Sequence, residues 1–366
     1  MRPLSPLYYI RENKIRSLII IFMLFLTTLL FLAGNYIDSV YYYWDPYMDY
    51  SDKLFDVSAL STDEDYREFG EFYKDLLEDE SLIVMPRSPS GYSGLQWMST
   101  LGFQMGSSSF VFETPEDLKT AFEVFGINAD LSEVEDGTVC ISKALAAQYG
   151  LKKGDVIDSG VREGFLGSYR IAALLDDESF IVFYVAHSEY EGDPVRLNVL
   201  GRDISGDELY QHIIEIQGDR KADISIPERK LIDEQFKPFI LIFGAGIIFL
   251  SIILSVVVNS VITGQYLERR YEFGVFRAIG LTKAEIYRKV ALELLVMDYI
   301  AYLAGAGMIF LFTLLMNELV YLPKGQYLPY YSDIGLNAFL ISNALVMVPT
   351  IFLKGRSMSK CDVTEF

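Results

Sequence analysis

Cysteine and histidine are scarce in this 366-residue chain: Cys140 and Cys361, His187 and His212 are all there are. Neither cysteine lies in a CxxC pair or near a histidine cluster, which argues against a disulfide scaffold and a thiolate zinc site. Two distant histidines also leave little for triad or histidine-metal chemistry. No G-x-x-x-x-G-K-[ST] stretch occurs, so the chain has no P-loop of its own for a nucleotide. Basic charge is in short supply as well, with 31 Lys and Arg against 50 Asp and Glu, a net charge of −19. Residues 35–238 hold 40 of the acidic and 17 of the basic residues, a local net of −23. Phosphate backbones need a basic patch, so nucleic acid is not an expected partner.

Apolar length is abundant. Half of the residues (51%) are hydrophobic, and the mean hydropathy is +0.24 despite the acidity. The two properties occupy different parts of the chain. Four long runs, 18–34, 239–262, 290–316 and 334–353, are almost free of charge. A membrane-spanning helix needs about 20 such residues. The first run reaches that length when extended back to Ile15. Arg11, Lys14 and Arg16 precede it, and Asn35-Tyr36-Ile37-Asp38 follows where a signal peptide would carry a small-residue cleavage site. The expected fold class is therefore a membrane protein with four transmembrane α-helices, one and then three. A large extracytoplasmic domain, 35–238, separates the first two.

Lys and Arg set the orientation. Four lie in residues 1–17, six in the loop 264–289 and three in the tail 354–366, against none in 35–50 and one, Lys324, in the loop 317–333. The N terminus, the 264–289 loop and the C terminus are expected in the cytoplasm, and the acidic domain outside. Tyr41, Tyr42, Tyr43, Trp44 and Tyr47, with Tyr321, Tyr327, Tyr330 and Tyr331, read as an aromatic belt at the outer interface.

The 264–289 loop has internal order. Leu267, Tyr271, Gly274, Val275 and Ala278 fall on one face of a 3.6-residue helix, with Glu268, Arg269, Arg270, Glu272 and Arg277 largely off it. Gly280 can end that helix in a left-handed conformation. Thr282 and Glu285 form a capping box for the next helix. Glu293 and Asp298 lie early in the third run, where a carboxylate is a functional candidate by default. The bland alternative places Glu293 at headgroup level on basic loop residues and gives Asp298 a tyrosine or threonine partner.

The stretch 268–282, ERRYEFGVFRAIGLT, resembles the loop of FtsX/MacB/LolC-type ABC transporter permeases. The resemblance implies that this loop is the coupling helix on a separate ATPase subunit, which would bind the ATP and Mg. It implies a chain with no cofactor or catalytic residue of its own, in the plasma membrane of a bacterium. A second permease copy or a paralogue would complete the machine. Candidate coupling residues are then Leu267, Glu268, Arg269, Arg270, Glu272, Gly274, Arg277, Gly280, Thr282 and Glu285.

The acidic domain reads as α+β. One amphipathic helix opens at Ser61-Thr62-Asp63-Glu64 and runs to about Glu80. A second follows Thr114-Pro115-Glu116 and stops at Gly126. Then come a strand at 138–141, a short helix capped by Ser142 and stopped by Gly150, and strands at 156–157, 169–175 and 180–185. This order resembles the periplasmic core domain of MacB-type permeases. Residues 86–110, rich in Gly and Ser but carrying Trp97, Phe103 and Met105, read as a loop or mobile flap. Cys140 reads as a buried structural thiol. His187 with Glu189, Glu191 and Asp193 reads as a solvated acidic loop, with cation binding the lesser alternative. The expected function is export or extrusion of a peptide- or lipid-like substrate. The alternatives are an FtsX-like regulator of a cell-wall hydrolase and an ATPase-independent sensor. Cationic peptides and lipid-linked ligands are the partners that the acidic exterior suits.

Overall fold

The computed structural model describes residues 10–359, except 43, 61–62, 88–93, 164, 178, 187–193 and 227. The His187 loop and Cys361 thus lie outside the described residues. In chain order the elements are α1 (Lys14–Tyr42), α2 (Trp44–Ser51), β1 (Leu54–Ala59), α3 (Asp63–Glu78), β2 (Leu82–Pro86), β3 (Gln96–Met98), β4 (Gln104–Gly106), β5 (Ser108–Phe112), α4 (Pro115–Phe125), β6 (Thr138–Ser142), α5 (Lys143–Tyr149) and β7 (Val156–Ile157). There follow β8 (Tyr169–Leu175), β9 (Ile181–Val185), β10 (Arg196–Gly201), α6 (Gly206–Gln217), β11 (Ala222–Ile224), α7 (Glu228–Glu268), α8 (Arg270–Ala278), α9 (Lys283–Met316) and α10 (Asp333–Ser359). A π-turn (Asn317–Tyr321) and a 3₁₀ turn (Leu322–Lys324) follow α9.

The chain forms two compact units. The first holds residues 1–38, 238–316 and 328–366. Its helices α1, α7, α9 and α10 are each long and apolar enough to cross a membrane. They are longer than the apolar runs because the ends continue with polar residues. α7 begins at Glu228 and carries Pro238 within it.

Small residues let these helices approach closely, as packing within a membrane requires. A methyl group on Gly34 of α1 would overlap the backbone of Gly335 in α10. One on Gly305 of α9 would overlap Thr28 of α1. The buried centre includes Leu24, Ile262, Tyr266, Phe273, Leu294 and Val346. α7 is the least covered of the four by the rest of the protein.

The second unit holds residues 39–237 and 317–327. It is a mixed α/β body with two main sheets and a hairpin. An antiparallel sheet, in the order β11-β1-β10-β2, buries Phe55, Val57, Leu197 and Val199 against Phe69, Phe72 and Leu76 of α3 and Leu209 and Ile213 of α6. A five-stranded sheet has the order β5-β9-β6-β8-β7, with β5 parallel to β9 and β6 parallel to β8.

Strand alternation sorts the two faces of the larger sheet. Val139, Ile141, Val182 and Tyr184 face a core with Leu145 of α5. Cys140, Ile181, Phe183 and Val185 face α4. Cys140 is fully buried, and burial pushes its thiol up to about 12, which keeps it protonated and inert. The helices α4 and α5 start on Thr114 and Ser142 caps and end on left-handed glycines, Gly126 and Gly150.

Two expectations are corrected in this unit, and several elements are added. Residues 96–106 form the β3–β4 hairpin rather than a flap, because Trp97 stacks on Phe180 with ring centroids 4.2 Å apart and anchors it. Tyr47 and Tyr321 are not part of a belt: both are buried, Tyr47 against Phe110 and Tyr321 with its hydroxyl toward the Thr100 carbonyl. β1, β2, β10, β11 and α6 are additional elements. The strands among them are short, three to six residues each.

Candidate functional site

The loop after α7 is built from a break, a short helix and a turn. α7 ends at Glu268, and Arg269, with φ −93° and ψ 3°, leaves the regular ladder. α8 then runs from Arg270 to Ala278. Gly280 takes φ +99°, and its N–H donates to the Arg277 carbonyl at 3.0 Å while Leu281 N–H donates to Phe276 at 3.0 Å. These bonds close the end of α8. Thr282 and Glu285 then cap α9 reciprocally: Thr282 N–H donates to Glu285 Oε2 at 2.8 Å, and Glu285 N–H donates to Thr282 Oγ1 at 3.2 Å.

A buried ionic node ties the break, α8 and α9 together. Arg269 Nη1 donates to Glu293 Oε2 at 2.8 Å, and its Nε donates to Glu272 Oε2 at 2.9 Å. Lys289 Nζ lies 2.9 Å from Glu293 Oε1, and Tyr266 Oη donates to Glu293 Oε2 at 3.2 Å. Glu293 is fully buried, and Arg269 and Lys289 are each 4% exposed. The Arg269 guanidinium stacks over the rings of Tyr266 and Phe273, 5.1 and 4.9 Å from their centroids, and Lys289 lies over Phe276.

Two cations face two carboxylates here, so the node is neutral as a whole. Burial works against the Arg269 charge, but its hydrogen bonds to Glu272 and Glu293 outweigh that and raise its pKa. Removing one member of such a buried set leaves charge uncompensated, at a cost of roughly 3–5 kcal/mol.

Arg269 is therefore a structural cation inside the protein. It is not available to headgroups or to a partner, as its sequence position had suggested. Glu293 sits on basic loop residues, the bland alternative for it. Tyr266, Phe273, Phe276 and Lys289 are the members that sequence reasoning missed. For Lys289 the signal was available in its i,i+4 spacing to Glu293.

The face of α8 turned into the protein carries Phe273 and Gly274. The expected apolar stripe is mostly on the other side. Tyr271 is 69% exposed, Leu267 50% and Val275 40%, and Ile279 beyond the helix is 69% exposed. Of the five residues assigned to one apolar face, only Gly274 is buried. The stripe itself persists, since Tyr271, Val275 and Ala278 share the exposed side of α8, while Leu267 belongs to the end of α7. Glu268 pairs with Arg16 of α1 at the surface. Arg270 and Arg277 are half-buried.

Asp298, one and a half turns beyond the node on α9, receives both its hydrogen bonds from Asn343 Nδ2 of α10, each at 3.2 Å. The partner is an asparagine, not the expected tyrosine or threonine. No group of three or more His, Cys, Asp or Glu among the described residues is arranged to hold a metal ion.

Residues 241–355 match the FtsX-like permease C-terminal family. The FtsX-like region takes in the apolar length of α7, all of the node, α8, α9 and most of α10. It supports the FtsX-type ABC permeases, non-enzymatic membrane subunits that typically work with an ABC ATPase. The match does not extend to the domain between α1 and α7, so the MacB-like reading of residues 138–175 rests on their sequence order alone. No curated protein matches the chain.

Proposed function

We propose that this chain is the membrane subunit of an ABC transporter, and that it passes the motion of a separate ATPase to an extracytoplasmic domain. The observation that carries this reading is the two-sided character of α8. One side is welded to α9 through the buried node. The other presents Tyr271 and Val275, continued by Leu267 and Ile279, to a partner. An apolar stripe beside basic residues on a short helix suits a cleft in an ATPase subunit, which would hold the ATP and Mg.

In this reading the N terminus, the α8 loop and the C terminus are cytoplasmic in a bacterial plasma membrane. Single cysteines at Lys283 and at Ser132 should then label from opposite sides, and same-side labelling would contradict the topology. Four spans make half of a machine, completed by a second copy or a paralogue. The acidic domain, with its net of −23, suits a cationic peptide or lipid-linked ligand moved by export or extrusion.

Co-purification tests the docking. Tyr271→Asp and Arg277→Glu should insert normally and lose the co-expressed ATPase. Wild-type recovery of the ATPase by both variants would leave α8 as a connector.

A further inference from the structure

Asp298 of α9 is a carboxylate set in the apolar run 290–316, eight residues past Val290. At 1.5 Å per helical residue that is about 12 Å into a hydrocarbon layer about 30 Å thick. A side chain this short does not reach the interface from there, and a carboxylate at that depth needs a partner. Among the described residues only Asn343 Nδ2 donates to it, at 3.2 Å to each oxygen. One amide supplies no counter-charge and leaves most of the acceptor capacity unused. Nor is Asp298 closed off inside the bundle, as Glu293 is. Asp298 and Asn343 are both half-buried, at the seam of α9 and α10.

The same seam carries exposed phenols. Tyr299, next to Asp298, is 61% exposed and makes no hydrogen bond among the described residues. Tyr302, one turn further along α9, is 39% exposed, with its ring stacked on Phe339 of α10 at 5.1 Å between centroids. Tyrosine is ordinarily a residue of the membrane–water interface. Here two lie deep in an apolar run beside a carboxylate. A cation satisfies the whole arrangement, because it pairs with the carboxylate and is attracted to the faces of the rings.

That cation does not come from this chain. None of the runs 18–34, 239–262, 290–316 and 334–353 contains Lys, Arg or His, so a second copy has none to offer at this depth either. Arg269 and Lys289 are committed to Glu293. We propose that the α9–α10 seam at Asp298 is a docking site for a membrane-spanning helix of a different protein, one that carries Lys or Arg near mid-depth. Asn343 orients the carboxylate, and the Tyr302–Phe339 stack bounds the seam one turn on. The proposal needs the spans to cross a membrane and is independent of any ATPase.

Photocrosslinking of the full chain in phosphatidylcholine vesicles tests it. The probe is a synthetic leucine-rich spanning helix with one central Lys and a diazirine-bearing residue beside it. Matched helices carry Leu or Glu in place of the Lys. The Lys helix should label wild type several-fold more than the other two, on segments of α9 and α10 around Asp298 and Asn343. Asp298→Asn, which keeps the shape and removes the charge, should reduce that labelling to the level of the Leu helix. The comparison of the three helices on wild type stands by itself whether or not Asp298→Asn is recovered.

Equal labelling of wild type by the Lys and Leu helices overturns the proposal. Unchanged labelling of Asp298→Asn by the Lys helix does so too, as does a preference for the Glu helix. Carbonate extraction of the same vesicles separates this from the placement of the spans. A chain that washes off overturns the membrane placement and the proposal together, whereas a retained chain without a preference for Lys overturns the proposal alone.

Discussion

Glu293 is the residue on which the node closes, since Arg269, Lys289 and Tyr266 all converge on it. Glu293→Ala leaves two buried cations with only Glu272 and should cost roughly 3–5 kcal/mol. Thermal unfolding in detergent reads this as a clear fall in Tm. Glu293→Ala combined with Lys289→Met should be less destabilised than the sum of the two single variants, because the pair is removed together. Additive losses would show that the two side chains act independently.

A second residue-scale contact is pH-dependent. Asp79 accepts from the Ser81 hydroxyl at 2.5 Å and lies 2.8 Å from His212 Nε2. The Ser81 hydrogen bond first, then the His212 contact, holds its carboxyl below the ordinary carboxylate range. A lowered folded pKa means that the stabilisation is complete above the unfolded value of about 4 and disappears as pH falls through the folded one. Asp79→Asn should therefore lower Tm near neutrality by a small amount and converge with wild type in acid. A constant offset at all pH values would contradict the contact. The partners of Glu293 were partly legible in the chain, because Lys289 is one helical turn away. Asp79 and His212 were not, since only the folded sheet brings residues 133 positions apart together.

At the scale of elements, the link from α8 to α9 depends on one backbone conformation. Gly280 has φ +99°, and a methyl group there would meet nothing within 4 Å. Gly280→Ala therefore tests conformation without crowding. A left-handed alanine costs about 1–2 kcal/mol. The spans should insert normally, Tm should fall modestly, and stimulation of a bound ATPase should weaken. Gly280→Asn, better tolerated in that region, should retain more of it. Equal activity of wild type and Gly280→Ala would mean that the turn carries no motion.

The caps at Thr282 and Gly280 were legible because they are local chemistry. Which way the apolar face of α8 turns was not, because periodicity places Tyr271, Val275 and Ala278 on one side without saying whether that side is covered. The β3–β4 hairpin read as a loop or flap because it lies within the Gly- and Ser-rich stretch 86–110, while a stacked pair, Trp97 on Phe180, anchors it.

For the whole molecule, four long apolar runs and a charge imbalance of the domain between the first two were enough to read the architecture. A spanning helix is specified by its own composition. The short strands β1, β2, β10 and β11 were harder because pairing across 138 to 146 residues, as between β1 and β10, leaves no local trace. The similarity to the FtsX-like family over 241–355 falls on the part with the clearest local signals.

Coupling of ATP turnover to α8 and the node is the claim on which the functional reading stands. The most direct measurement is ATP turnover of the complex with its ATPase, reconstituted in vesicles at matched permease content, for wild type, Tyr271→Asp and Glu293→Gln. Docking through the exposed face of α8 requires that Tyr271→Asp lose both ATPase binding and stimulation. Transmission through the node requires that Glu293→Gln keep the ATPase bound and lose the stimulation. Wild-type turnover in both variants, with the ATPase bound in both, would contradict the coupling role.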